Sequence, residues 1–357
     1  MIYDVKGNAV PMESTVYDLE GNTIPAGDYE SYNTNKDLYF FRGKPTKQGK
    51  YLVGDDGKRL EIRGVGTHGL LQYANLHSLE AIRSLRSFGV NCVRCSVYLE
   101  DYTFLNSDGI KAFGYISKPT ETKAEIERIV DYCEQLGMYV ILDWHIYSWG
   151  AGSGTGIFHQ TEATEFFTYF CNLYKDKPFV MYEIANEPNH TTTAETLDYI
   201  TAMHTLIHSV VDDPIIIMGK CSDSMETLHD TLAENGMDDI FLSCHAYGTS
   251  VDVDRYKEWW DKDYPLFNTE WGNSQASGDG DRVDDRATAL LKYYHQEKIP
   301  NCIWKYTDQV MTTALLNNRG SINDSYYSGG FAEEDLSPNG TLYFTWWKYF
   351  ATIGHNR

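Results

Sequence analysis

Two glutamates, Glu187 and Glu270, end two apolar runs that read as core strands. The first run is Phe179-Val-Met-Tyr-Glu-Ile-Ala-Asn-Glu-Pro-Asn189, broken by Asn186, Glu187 and Pro188; proline cannot continue a strand ladder. The second is Pro265-Leu-Phe-Asn-Thr-Glu-Trp-Gly272, with Glu270 at the equivalent place. Two carboxyl groups side by side at strand ends are the equipment for breaking a glycosidic bond. A retaining reaction needs them ~5–5.5 Å apart, one ionised as nucleophile and one protonated as acid. Burial of Glu187 beside the other glutamate is expected to hold that proton near neutral pH.

The elements that must position this pair emerge from Lys50 onward. Tyr51 to Ile62 reads as a hairpin turning at Asp56-Gly57 and runs on into Arg63-Gly-Val-Gly-Thr-His68. Helical and strand patterns then alternate. Ile126, Ile129, Val130, Cys133 and Leu136, for example, form one helical stripe over 123–136, closed by Gly137. Further strands are expected at 91–98, 138–145, 179–187, 214–219, 240–247, 265–272 and 301–306. A closing helix is expected at 341–352. Eight strand-helix units with nearly continuous apolar strands predict a (β/α)8 TIM barrel over residues 50–357. A doubly wound open sheet is the runner-up, but no Gly-rich phosphate turn follows the first strand. Residues 1–49 read as an N-terminal extension. It carries a short repeat, Tyr3-Asp-Val-Lys-Gly-Asn-Ala-Val-Pro11 and Tyr17-Asp-Leu-Glu-Gly-Asn-Thr-Ile-Pro25, expected to form two small hairpins against the barrel.

In such a barrel, function sits at the carboxyl ends of the strands. Those ends offer His68, Arg94, Tyr98, Asp143, His145, Asn186, His245, Tyr247 and Trp304 around the two glutamates. Each alone has an ordinary structural explanation, yet their convergence on one rim does not, because unpaired buried charge is costly. Arg94 and a hydrogen bond from Tyr247 are expected to keep the nucleophile ionised. Asn186 is placed to grip a sugar hydroxyl, and Trp304 to stack on a sugar face.

The totals narrow the partners. A net charge of −21 excludes nucleic acid and anionic membrane, both of which need Lys/Arg clusters. Aromatic residues make up 14% of the chain, which fits a large core and leaves rings for a sugar cleft. The 7 cysteines are odd in number and sit singly in apolar runs, so they read as buried free thiols rather than zinc ligands. No apolar stretch is long enough to span a membrane, and Met1–Gly7 does not read as a signal peptide. The sequons at Asn189, Asn323 and Asn339 read as chance matches.

On these residues the chain resembles glycoside hydrolase family 5, in its bacterial-type endo-β-1,4-glucanase (cellulase) branch. The resemblance is carried by Arg63-Gly64, His68-Gly69, Arg94, Asp143-Trp-His145, Tyr182-Glu-Ile-Ala-Asn-Glu-Pro-Asn189, His245-Ala-Tyr247, Thr269-Glu-Trp-Gly272, Trp304 and Ala314-Leu315. It runs from about Tyr51 to the C-terminus. It implies a retaining hydrolase of cellulose-type glucans or cello-oligosaccharides, with Glu187 as acid/base, Glu270 as nucleophile, and neither metal nor cofactor. It implies substrate binding by His68, Tyr73, Arg94, Tyr98, His145, Asn186, His245, Tyr247 and Trp304. It also implies secretion and a place within a larger modular enzyme. Three positions depart from the branch. Tyr73 replaces a usual tryptophan, Cys221 replaces an aromatic on the leaving-group side, and Thr307-Asp308-Gln309 ends without the usual lysine. Weaker leaving-group binding is therefore expected. Competing readings are the same chemistry on xyloglucan, mixed-linkage glucan or mannan, a non-catalytic carbohydrate-binding barrel, and a metal-dependent hydrolase using Asp143, His145 and His245.

Overall fold

Most of the barrel strands form where β-branched and aromatic residues run together. The computed structural model describes residues 43–103, 111–146, 158–221, 223–319 and 326–353, together with four short strands within residues 2–24. The barrel strands are β1 Arg63–Thr67, β2 Cys92–Tyr98, β3 Tyr139–His145, β4 Val180–Ala185, β5 Ile216–Met218, β6 in two pieces (Phe241–Leu242 and Ala246–Tyr247), β7 Asn268–Gly272 and β8 Asn301–Tyr306. The helices are α1 Leu79–Ser87, α2 Pro119–Gln135, α3 Gln160–Tyr174, α4 Thr193–His208, α5 Met225–Glu234, α6 Val253–Asp261, α7 Asp284–Glu297 and α8 Pro338–Ile353.

All pairings in the large sheet are parallel, and β8 returns to β1. The ring closes through β6, whose first piece pairs with β5 and whose second pairs with β7. This is the expected (β/α)8 barrel, with every element close to its expected span. The α2 stripe is buried at Ile126, Ile129, Val130 and Cys133, as the period requires. Local signals set the helix starts. Ser78 Oγ accepts from Ala81 N at the start of α1, and Thr192 and Glu195 form a capping box on α4.

Each copy of the N-terminal repeat yields a hairpin, Ile2–Tyr3 with Ala9–Val10 and Val16–Tyr17 with Thr23–Ile24. Their expected seat against the barrel lies outside the described residues. The Asp56-Gly57 turn forms as expected, but Tyr51–Val53 also pairs with Thr46–Gln48 across Gly49-Lys50. The boundary expected after residue 49 therefore falls inside a hairpin. All seven cysteines are free, six of them buried. Asn339 is buried and donates to Thr313 O, which fits a chance sequon there; Asn323 lies outside the described residues. Among the described residues no helix is long and apolar enough to cross a membrane.

Candidate active site

Three strands that carry site residues each contain one extra residue relative to a neighbour. The register slips between Glu183 and Ala185 on β4, between Asn268 and Trp271 on β7, and between Ile303 and Tyr306 on β8. A bulge re-aims the side chains that follow it. These three precede or contain Glu187, Glu270 and Trp304. Asn186 and Glu187 lie beyond the end of β4, where strand alternation no longer separates neighbours, and both reach the same cluster. Gly66 makes room for the Trp304 ring, since a Cβ there would meet Trp304 Cε3 at 2.8 Å.

β6 is interrupted at Ser243–His245, and His245 adopts a left-handed backbone with φ 34°. Such a conformation costs roughly 1–3 kcal/mol and persists where surrounding contacts hold it. Ser243 Oγ accepts from Thr269 N at 2.9 Å, taking the place of a ladder bond lost in the gap. His245 Nδ1 then lies 2.7 Å from Glu187 Oε1.

Arg94 on β2 lies beneath the pair with no exposed surface. Its Nε and Nη2 donate to Glu183 Oε2 and Oε1 at 2.6 and 2.9 Å. Nη2 also reaches Asp143 Oδ2 at 2.9 Å and donates to Asn186 Oδ1 at 2.6 Å. Nη1 donates to Glu270 Oε2 at 3.1 Å, and the Tyr247 hydroxyl donates to Glu270 Oε1 at 2.5 Å. One guanidinium thus faces three carboxylates, too few charges to keep all three ionised at low pH. Burial pushes Asp143 up to about 7 against the opposing pull of Arg94. It raises Glu183 as well, again against Arg94.

One oxygen each of Glu187 and Glu270 and one nitrogen of His245 all lie within 4.8 Å of one another. The proton of this group does not rest where the sequence places it. Burial pushes the Glu187 carboxyl up, but the His245 hydrogen bond and charge, helped by Lys220, outweigh burial and hold it at about 2. Burial lowers His245, yet Glu270 and Glu187 together raise it. Both shifts favour a carboxylate on Glu187 and an imidazolium on His245. The expectation that burial beside Glu270 keeps Glu187 protonated is corrected by its imidazole neighbour.

The aromatic wall follows from the same strand ends. His145 stacks on Trp304 with centroids 5.4 Å apart and planes 9° apart, and its Nδ1 lies 2.6 Å from Asp143 Oδ2. Burial and Arg94 lower His145 to about 3, so its ring is neutral. His68 Nδ1 lies 3.1 Å from Tyr98 OH and meets Trp304 edge-on at 5.7 Å. Tyr98 and Tyr102 stack at 4.7 Å, and both are partly exposed.

Of the expected substrate-binding residues, His68, Tyr98, His145 and Trp304 touch in one aromatic cluster, while His245 contacts Glu187 and Tyr247 contacts Glu270. Arg94 and Tyr73 have no exposed surface with which to meet a sugar. Arg94 instead holds carboxylates, and Tyr73 packs 6.1 Å from the His68 ring. Asn186 is committed at both ends, accepting from Arg94 and donating to Ile146 O at 3.1 Å. The metal reading on Asp143, His145 and His245 is not favoured by the geometry, since Arg94 engages Asp143 and, among the described residues, no group with metal-ligand spacing includes Asp143 or His145.

Sequence reasoning missed Glu183, Thr269, Tyr102 and Lys305. Glu183 and Lys305 had a signal, because a charge inside an apolar core strand demands an explanation. Thr269 Oγ1 donates to Glu183 Oε1 at 2.7 Å and ties β7 to β4. Lys305 corrects the expectation of a lost cation. Its buried Nζ donates to Gln309 Oε1 at 2.9 Å and lies 3.3 Å from Met311 Sδ. Among the described residues no carboxylate lies within ion-pair reach of it. Burial lowers Lys305 to about 7, with Glu270 opposing. A cation thus returns to this place from four residues upstream.

A (β/α)8 barrel with two facing carboxylates at its mouth and a buried arginine beneath them defines a class of barrels organised around an acid pair. The family profile for cellulase, glycosyl hydrolase family 5, matches residues 53–310, and the chain belongs to that family. It is 30% identical over 318 residues to an endoglucanase of Clostridium saccharobutylicum, covering 87% of this chain and 66% of the relative. It is 30% identical over 297 residues to Endoglucanase N of Pectobacterium atrosepticum, covering 81% of this chain and 62% of the relative. The chain thus spans about two thirds of the length of these curated relatives. Among solved structures, cellulase Cel5C_n superposes with TM-score 0.72 at 27% identity, covering 86% of this chain and 93% of that one. The catalytic domain of Thermobifida fusca endoglucanase Cel5A, in complex with cellotetraose, superposes with TM-score 0.73 at 22% identity, covering 86% of this chain and 98% of that one. At that identity it shares the fold.

Proposed function

We propose that this chain is a retaining endo-β-1,4-glucanase. The observation that carries the reading is the approach of Glu187 and Glu270 oxygens within 4.8 Å, the spacing of a nucleophile and an acid/base rather than of two acids flanking a water. Glu270 attacks the anomeric carbon while Arg94 and Tyr247 hold its charge. Glu187, protonated by His245 across their 2.7 Å contact, passes that proton to the departing glycosidic oxygen and is left as the carboxylate. The carboxylate of Glu187 then removes a proton from the water that hydrolyses the glycosyl-enzyme bond.

His68, His145 and Trp304 offer a neutral aromatic floor to a sugar face. Lys305 and Gln309 extend it with hydroxyl-binding groups. The leaving-group side has the buried Cys221 thiol where a ring would stack, which favours weaker binding there. The curated relatives are named endoglucanases, and on that ground cellulose-type glucan is the substrate. We also place the protein outside the cell, where such polymers lie, within a longer modular chain.

Two measurements test the reading. Proton NMR of the first products distinguishes retention from inversion. Reducing-sugar release is compared on carboxymethylcellulose, xyloglucan, mixed-linkage glucan and mannan. Inverted products sink the mechanism, and a dominant rate on mannan or xyloglucan sinks the substrate. No release from any of these polymers would favour a non-catalytic binding barrel.

A further inference from the structure

The opposite end of the barrel holds a second convergence of titratable groups, which the cleft chemistry does not use. His204 and His208 stand one turn apart near the end of α4, a spacing that stacks side chains on one helix face. Asp239 precedes the first piece of β6 and so lies at the amino end of the strands, away from the catalytic mouth. His204 Nε2 lies 2.9 and 3.1 Å from the two Asp239 oxygens, and His208 Nε2 lies 2.8 Å from Oδ2. The two imidazole rings are 4.3 Å apart.

We propose that His204, His208 and Asp239 form a binding site for a zinc-class divalent ion, with water completing its coordination. Three observations support it. First, one donor atom from each of the three residues lies within 4.8 Å of the others. Ligands at ~2.0–2.2 Å from a tetrahedral ion are roughly 3.3 Å from each other, and the distances of His204 Nε2 and His208 Nε2 from Asp239 Oδ2, 3.1 and 2.8 Å, lie close to that spacing. Second, among the described residues no lysine or arginine lies within ion-pair reach of the Asp239 carboxylate; its ion-pair partners are the two rings. Lys47, whose charge is felt by Asp239, has its Nζ engaged by the carbonyls of Gly49 and Asp238. Third, neither Nδ1 is bonded to a described residue. Each neutral ring can therefore carry its proton on Nδ1 and offer the Nε2 lone pair. Two imidazoles and one carboxylate suit zinc, nickel or copper and not calcium or magnesium, which prefer all-oxygen shells. All three side chains are partly exposed, so the ion has an entry path. Once bound, it would tie the end of α4 to the start of β6 across the intervening β5–α5 unit.

The test uses the full chain without a histidine tag, stripped with EDTA and titrated with zinc chloride by calorimetry and thermal denaturation. One equivalent of zinc should bind with a rise of several degrees in Tm, and calcium chloride should do neither. His208→Gln and Asp239→Asn should each weaken zinc by at least roughly tenfold while leaving glucan hydrolysis in EDTA unchanged. Glu187→Gln should retain the high-affinity equivalent. Zinc affinity unchanged in both His208→Gln and Asp239→Asn, or absent from the parent chain, overturns the site. Zinc lost in Glu187→Gln instead places the ion in the cleft and equally overturns it.

Discussion

Glu183 takes both prongs of the Arg94 guanidinium, 2.6 Å to one oxygen and 2.9 Å to the other, on a floor where neither group touches solvent. This fork fixes the orientation from which the remaining Arg94 nitrogen reaches Glu270. Removing one partner of a buried pair leaves the other uncompensated and costs about 3–5 kcal/mol. Glu183→Ala should lose stability on that scale by urea denaturation, and Glu183→Gln rather less. Both should lower kcat with little change in KM, because Glu183 has no exposed surface and acts on Glu270 through Arg94 and Thr269. A change in KM alone would argue that Glu183 binds sugar.

The proposed nucleophile and acid/base separate by leaving group. Glu270→Gln should abolish turnover of every substrate while circular dichroism and the unfolding midpoint stay near those of the parent. Glu187→Gln should cripple hydrolysis of cello-oligosaccharides. It should retain far more of the rate on an aryl cellobioside, whose phenolate leaves without a proton. Equal losses on both substrates would remove Glu187 from the acid role.

Much of this was legible in the chain because it rests on periodicity. The eight strand-helix units, the helix caps and the two glutamates follow from apolar spacing and from polar residues that end strands. What was not legible depends on register. The extra residues on β4, β7 and β8 leave no sequence mark, yet they shift the register of the strand ends that carry the site. Nor does a sequence show that Tyr73 and Arg94 are fully enclosed, or that the left-handed turn at His245 brings its ring to Glu187. Proton placement was misjudged for that reason, since burial was visible and the imidazole neighbour was not.

His245 should set the alkaline limb of the pH profile. The Glu187–His245 pair needs one proton to act, and that proton leaves as the pH rises through the raised value of His245. In His245→Asn the proton must rest on Glu187 alone, so the alkaline limb of kcat/KM should move to lower pH. An unmoved limb would assign it to another group. Stability follows the same linkage. The depressed Glu187 contributes above about 4.5, and its contribution fades as pH falls through about 2. The raised His245 contributes below about 6.5, and its contribution fades as pH rises through its folded value. The stability difference between parent and His245→Asn should therefore peak between roughly pH 4.5 and 6.5.

Lys305 should show the opposite balance of stability and function. Its ammonium is buried with one amide oxygen and a thioether as hydrogen-bond partners, an arrangement that burial disfavours and brings down to about 7. Because the folded state releases this proton more readily than the unfolded chain, the penalty is fully present below pH 7. It disappears as the pH climbs towards about 10.5. Lys305→Met should accordingly raise Tm below pH 7, with the gain shrinking steadily above it. If Lys305 binds sugar hydroxyls, the same variant should raise KM for cello-oligosaccharides below pH 7 and leave kcat for an aryl cellobioside comparatively unchanged. The parent should approach the variant's KM above pH 7, as its own ammonium is lost. A variant with higher Tm and an unaltered KM would mark Lys305 as a structural charge with no part in binding.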